Sequence, residues 1–250
     1  MKISIIIVVF NSRDTVGAAI DSIVSQRCSN IELIVVDGAS TDGTRDVLAQ
    51  YASKISVLVS EPDQGIYDAL NKGISLATGD IVGFLHSDDL LADDSSIQRV
   101  VDCMTDSGVD AVYGDLVYVQ KNDTTRVVRT WRAGGFQLAS LALGWMPPHP
   151  TFYARRQVYE QFGSFDTTFR IAADYDCMLR FLKSGVRVAY IPHVQVRMRV
   201  GGISNRSVAS IVAKSIEDFR ALRKNGLGAV VGLVCKNVRK VPQFFVRSGR

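Results

Sequence analysis

The chain has 250 residues, 47% of them hydrophobic and 22% charged, which supports a full globular core and excludes intrinsic disorder as the main state. Its formal charge of +4 hides an asymmetry: residues 220–250 hold eight Lys and Arg and no acid, while the rest of the chain is slightly acidic. A nucleic-acid reader clusters its positive charge on the folded body with aromatics interleaved, so no nucleic-acid partner is expected here.

Ile3–Phe10 is a β-branched run that reads as a strand covered on both faces. Asn11-Ser12-Arg13-Asp14 follows where a signal peptide would have small residues and a cleavage site, so a secretory leader is not expected. Asn11-Ser12 is placed to cap a helix carrying Val16, Ala19, Ile20 and Ile23 on one face. Ile31–Val36 reads as a second buried strand, followed by the acidic loop Asp37–Asp42 and a helix near Arg45–Ala52. Ile55–Val59 reads as a third strand and Ile66–Leu76 as a helix with Ile66, Ala69, Leu70, Ile74 and Ala77 inward. Ile81–Leu85 reads as a fourth strand, ending at His86-Ser87-Asp88-Asp89. Strands alternating with helices indicate a parallel α/β sheet, whose ligands sit beyond the carboxyl ends of the strands. Asn11 and both acidic loops fall at those ends.

The second half has a different rhythm. Asp110–Val119 and Arg126–Arg132 read as paired strands, and Gly134–Pro150 as loop. Cys177–Lys183 reads as a helix preceded by Asp174-Tyr175-Asp176, Val186–Ile191 and Val194–Met198 as short strands, and Val208–Arg223 as a helix. The four cysteines form no C-x-x-C pair, which fits buried free thiols in a reducing compartment and no zinc site. No apolar run approaches the ~20 residues that span a bilayer.

Missing motifs narrow the enzyme classes. There is no G-x-x-x-x-G-K-[ST], no G-x-G-x-x-G after the first strand and no G-x-S-x-G, which excludes a P-loop NTPase and speaks against a Rossmann dinucleotide site and an α/β-hydrolase. The acidic pairs remain. Adjacent carboxylates such as Asp88 and Asp89 after a buried strand suit a hard divalent cation, Mg²⁺ or Mn²⁺, bridging to phosphates. They equally suit the capping of a following turn. Asp37 can accept an N–H from a base edge, and Lys72 can offset phosphate charge.

Four segments together resemble the family 2 inverting glycosyltransferases. They are Ser4–Asn11, Val35–Thr44, Glu61–Gly73 and Ala77–Asp89, and the resemblance runs from residue 3 to about residue 205. Pro148–Arg155 and Phe169–Asp176 are similar to the branch that builds bacterial surface polysaccharides. The resemblance implies a GT-A (Rossmann-like) fold: a mixed, mostly parallel sheet flanked by helices. It also implies a nucleotide-sugar donor, of the UDP type, and a glycan or lipid-linked glycan acceptor. By the same resemblance Phe10 and Asn11 flank the base, Asp37 reads a uracil-type edge, and Asp63 and Lys72 lie near the ribose and diphosphate. His86-Ser87-Asp88 occupies the D-x-D motif, with Ser87 on the donor and Asp88, seconded by Asp89, on the cation. Asp174 matches the general base, and His149 and Asp176 fall where acceptor contacts are expected. Two residues depart from the pattern: His86 replaces the first D-x-D acid, and Ala173 replaces the glutamate before the base. They keep open a non-catalytic nucleotide-sugar-binding relative. A nucleotidyltransferase is the third possibility, lacking here its Gly-rich basic loop.

The expected organisation is a catalytic domain over 1–225, with a donor half over 1–89 and an acceptor half over 90–225, and an amphipathic tail over 226–250. Leu227, Val230, Val231, Val234, Val238 and Val241 share one side of a helical wheel, opposite Lys236, Arg239 and Lys240. Such a helix either lies on an anionic membrane surface or packs its apolar side on the catalytic domain with its charges in water. The first alternative places a cytoplasmic enzyme peripherally on the inner face of the plasma membrane.

Overall fold

The computed structural model describes residues 1–201 and 208–238. Strand β1 (Ile3–Val9) is buried along its whole length. It pairs in parallel with β2 (Ile31–Asp37) and β4 (Ile81–His86), and β3 (Val57–Ser60) extends β2. Helices α1 (Val16–Val24), α2 (Thr44–Gln50) and α3 (Ile66–Leu76) make the crossovers. The period of two divides β1 between two cores. Ile6 and Val8 face α3, and Ile5, Ile7 and Val9 face α1 and α2. Each fully buried Ile contributes roughly 1.5–3 kcal/mol, so this strand anchors both layers.

Beyond β4 the sheet changes character. The strands are β5 (Leu90–Leu91), β6 (Ala111–Val119), β7 (Val127–Trp131), β8 (Tyr153–Arg155) and β9 (Val188–Arg199). The order is β3-β2-β1-β4-β8-β6-β9-β5, with β7 pairing β6. β8 runs antiparallel to both β4 and β6, and β6 runs parallel to β9. The sheet is therefore mixed but mostly parallel, as expected. The two short strands expected near 186–198 are one strand. Its ladder skips from Ile191 to Val194 opposite Gly114 and Asp115, so Pro192-His193 bulges out where Pro has no N–H to give.

Helix α4 (Ser96–Ser107) joins the α1 layer. Helices α5 (Arg156–Phe162), α6 (Ala173–Lys183), α7 (Val208–Lys224) and α8 (Ala229–Val238) lie with α3. Three local expectations need correction. Helix α1 starts at Val16 with no side-chain cap. Asn11 instead accepts a bond from the Thr41 N–H at 2.9 Å, and Ser12 supplies only its carbonyl to α1. Ile66 is exposed, and Tyr67 takes its place in the core. Helix α6 starts at Ala173, so Asp174 stands in its first turn and not before it.

Of the two readings of the tail, the one that packs its apolar side on the catalytic domain and leaves its charges in water is overturned: Val230, Val231, Val234 and Val238 of α8 face outward, and Lys236 is buried. Lys236 Nζ bonds Asp218 Oδ1 of α7 at 2.7 Å and sits 3.2 Å from the Tyr175 ring centroid. Gly232 lies so close to Gly144 and Leu222 that a Cβ at either glycine would collide with the other segment. Helix α8 is thus packed into the body. Val241, Arg239 and Lys240 lie outside the described residues.

Candidate active site

The carboxyl ends of β1, β2 and β3 form one rim. Phe10 projects there, 63% exposed. A Cβ on Gly38 would run into the Asp63 carboxylate and touch the Phe10 ring at 3.4 Å, so Phe10, Gly38 and Asp63 are adjacent. Asp63 also accepts the Gly65 N–H at 2.8 Å. The tips of β1 and β2 are locked together: the Asn11 N–H donates to Ser40 Oγ at 2.9 Å while Asn11 Oδ1 takes Thr41. Asn11 (φ 48°) and Ala39 (φ 60°) both adopt left-handed backbone, which Asn tolerates and Ala resists. Both are held there by the hydrogen bonds of the neighbouring loops.

Asp37 is placed at this rim but turned away from it. Its side chain is fully buried and accepts the Ser40 N–H, the Ser40 hydroxyl and the Ser60 hydroxyl at 2.6 Å. The expectation that Asp37 meets a base edge directly is therefore corrected. Its oxygens organise Ser40 and Ser60, which line a cavity of about 640 Å³ with Thr41, Arg45 and Leu58. Lys72 is paired with Glu61 at 2.9 Å and Asp68 at 3.5 Å, and Glu61 holds its ammonium above the usual lysine range.

The second cluster lies beyond β4. Ser87 donates to Ser12 Oγ at 2.9 Å, tying the β4 end to the β1 tip. Asp88 is half-buried. Asp89, expected beside it on a cation, points into the fold. It is fully buried, its Oδ1 accepts the Arg199 N–H at 3.1 Å, and its Oδ2 has no partner among the described residues. Burial, reinforced by Asp88, pushes the Asp89 carboxyl well above the carboxylate range. The correction is physical: a buried acid with one bond favours its neutral form, which is a poor metal ligand. Among the described residues no group of three His, Cys, Asp or Glu side chains is arranged to enclose a metal. Of the adjacent pair only Asp88 keeps partial exposure.

His149 and Asp174 complete this cluster from the second half of the chain. The His149 ring stacks on Phe84 at 5.5 Å, meets Phe165 edge-on at 5.7 Å and lies 6.0 Å from His86. Its Nε2 is buried with no partner among the described residues. Burial pushes His149 down to about 4 and His86 in the same direction, against the pull of Asp174 on both and of Asp88 on His86. Burial therefore favours the neutral form of both imidazoles. Asp174 is half-buried, and its Oδ1 accepts the Tyr67 hydroxyl at 3.3 Å. Asp176, expected near an acceptor, is corrected to a structural role. It is fully buried between Arg180 at 3.3 Å, Lys224 at 3.0 Å and Asn225 at 3.0 Å. Side chains are staggered about 100° per residue on a helix, so Asp174 and Asp176 point to opposite sides of α6.

A family model described as glycosyl transferase family 2 matches residues 4–174. The chain belongs to that family. Among curated relatives, the "PGL/p-HBAD biosynthesis glycosyltransferase" of Mycobacterium bovis is 34% identical over 98% of this chain and 93% of its own length. A glycosyltransferase of Nostoc sp. is 34% identical over 70% of this chain and 57% of its own. Among solved structures, the mannosyltransferase PcManGT from Pyrobaculum calidifontis, in complex with GDP-Man and Mn²⁺, superposes with a TM-score of 0.70. It is 20% identical and covers 98% of this chain and 73% of its own. S. aureus TarS 1-349 gives a TM-score of 0.69 at 18% identity over 90% of this chain and 64% of its own. These confirm the GT-A architecture and a glycosyltransferase.

Tyr67, Glu217 and Lys236 are the neighbours of this site that sequence reasoning passed over. Tyr67 was legible in principle, one position from the helix face assigned inward. Glu217 and Lys236 reach the site only through tertiary packing, and no local pattern marks them.

Proposed function

We propose that this family 2 glycosyltransferase moves a sugar from a nucleotide-sugar donor to an acceptor hydroxyl with inversion, Asp174 acting as general base. The observation that carries it is the cluster at the end of β4: the His86 and His149 rings lie 6.0 Å apart, Asp174 acts electrostatically on both and Asp88 on His86, with His86 and Asp88 supplied by the β4 end and His149 and Asp174 by the second half of the chain. Asp174 is a carboxylate with its Tyr67 partner on one oxygen and partial exposure, which suits removal of a proton from an attacking hydroxyl. A divalent cation bound between Asp88 and the donor would supply charge neutralisation for the departing nucleoside diphosphate. Phe10 offers a ring face to the base, Asp63 a carboxylate beside it, and Ser87 a hydroxyl between the two clusters. The neutral His149 offers Nε2 to a sugar or acceptor hydroxyl.

A uridine carrier is proposed from the resemblance of Val35–Thr44. One related structure holds GDP-Man and another UDP-GlcNAc, so a thermal-shift comparison of UDP and GDP with Mn²⁺ decides; tighter GDP binding removes the uridine reading. Release of nucleoside diphosphate, with NMR of the product anomer, tests transfer and inversion. Pyrophosphate release would indicate a nucleotidyltransferase, and binding without turnover a non-catalytic relative.

A lipid-linked acceptor on an anionic membrane surface is proposed from the four outward valines of α8 and the basic stretch that follows in sequence. Among the described residues no helix is long and apolar enough to cross a membrane. Flotation with anionic vesicles should be lost in Val231→Asp/Val234→Asp. Removing residues after 225 is the poorer variant, because it strips Asp218 of its buried partner.

A further inference from the structure

The turn that carries the candidate base is held from outside the donor half. Helix α6 has Ala172 at its N-cap and no side-chain cap, and the residues that lead into it are held by Glu217 of α7. Its Oε1 accepts the Arg170 N–H at 2.9 Å, and its Oε2 accepts the Ile171 N–H at 2.8 Å and the Ala172 N–H at 2.9 Å. The same helix lays Arg220 over the Phe169 ring at 4.9 Å and Lys224 at 5.3 Å. From the opposite side the Tyr67 hydroxyl of α3 donates to the Ile171 carbonyl at 2.7 Å and reaches Asp174. Three amides and one carbonyl of a single turn are thus fixed, two residues before the carboxylate.

We propose that Glu217 is a positioning residue for the transfer reaction: by clamping residues 170–172 it sets where the Asp174 carboxylate stands. The proposal rests on Asp174 being the base. A buried carboxylate that takes three N–H groups is hard to replace, since a glutamine has one acceptor oxygen and would turn an NH₂ group toward an amide. An aspartate keeps the charge but falls short by one methylene. Small misplacements of a reacting group are costly in rate and nearly silent in donor binding.

The test is a double-variant cycle on the full chain. Glu217→Gln is expected to lower kcat roughly 10- to 100-fold, with the KM for donor and the binding of nucleoside diphosphate unchanged. Glu217→Asp should fall as far, because reach and not charge is lost. In an Asp174→Asn background, Glu217→Gln should add nothing to the deficit, since a positioning group has nothing left to position. A purely structural Glu217 would lower melting temperature and leave kcat per folded molecule intact, and that result overturns the proposal. So does a deficit that multiplies in full with that of Asp174→Asn. Wild-type turnover by Asp174→Asn itself removes the base reading and the positioning role with it, and is distinguishable because it needs no Glu217 variant. Should Glu217→Gln not fold, Tyr67→Phe, which deletes one hydroxyl from the other side of the turn, enters the same cycle with the same expected pattern.

Discussion

The donor half and the acceptor half are built to different rules. In residues 1–89 each of the first three strands is followed by a helix, and functional positions gather at strand ends: Phe10 after β1, Asp37 as the last residue of β2, Ser87 after β4. Proximity in space follows from pairing in register, since Val9 pairs Asp37 and Val8 pairs His86. In residues 90–238 the site groups come from a short 3-10 turn at His149 and the first turn of α6, and their supports come from α7 and α8. The first half makes its site by topology. The second makes it by packing and by buried charge pairs. Substitutions in the two halves should therefore fail in different ways.

The largest contrast is expected between Asp174→Asn and Phe10→Ala. Loss of a general base costs about 10²- to 10⁴-fold in turnover, with nucleoside diphosphate binding retained by calorimetry. Retained turnover would mean that the base lies elsewhere.

Next in size is the buried pair of α7 and α8. Lys236→Met leaves Asp218 buried and alone, at a cost of about 3–5 kcal/mol, and the double change Lys236→Met/Asp218→Leu should recover most of it. Chemical denaturation of both variants reads this directly. A single variant as stable as wild type would make α8 the appendage that the sequence pattern suggested.

The third prediction is a pH dependence. His149 has its folded value at about 4, below the unfolded histidine near 6.5. The unfolded chain then binds more protons between those values, so stability rises with pH across the window and falls as pH drops from 6.5 toward 4. The full effect is on the order of 3 kcal/mol, complete only below pH 4. His149→Phe should flatten that part of the stability profile, and an unchanged profile would show that His149 protonates freely in the folded protein.

The smallest effect belongs to Phe10→Ala, which removes an exposed ring face. A loss of about 1–3 kcal/mol in nucleotide affinity with kcat little changed is expected, from the usual worth of base–aromatic stacking. A fall in kcat with unchanged affinity would move Phe10 from the base to the reacting centre.

Legibility in the sequence follows the same division. The strands of the donor half, the inward face of α1 and the span of α3 match the structure because hydrophobic period and local pairing agree there. Asp37 and Asp89 were placed correctly along the chain and wrongly in orientation. A carboxylate after a buried strand can face the cleft or the loop behind it, and only the positions of Ser40, Ser60 and Arg199 decide. Asp176 sits in a motif with Asp174, yet its partners Lys224 and Asn225 lie far along the chain. Helix α4 went unread although Ile97, Val100, Val101 and Met104 keep helical spacing there. Helices α7 and α8 were located, but the side each presents was set by Glu217, Asp218 and Lys236, charged residues that a helical wheel assigns to water.

The strand order has one mechanical consequence. Strands β4 and β5 are separated by three residues in sequence, yet β8, β6 and β9 lie between them along the hydrogen-bonded path. The sheet must therefore curl until its last strand returns to the fourth, and Ser87-Asp88-Asp89 is the seam where the curl shuts. Asp89 and the Arg199 amide are the stitch across it. Any change in curvature of the acceptor half, including one that starts at its outer surface, has to pass through that seam, so the carboxylate of Asp88 rides on the joint that would register it first.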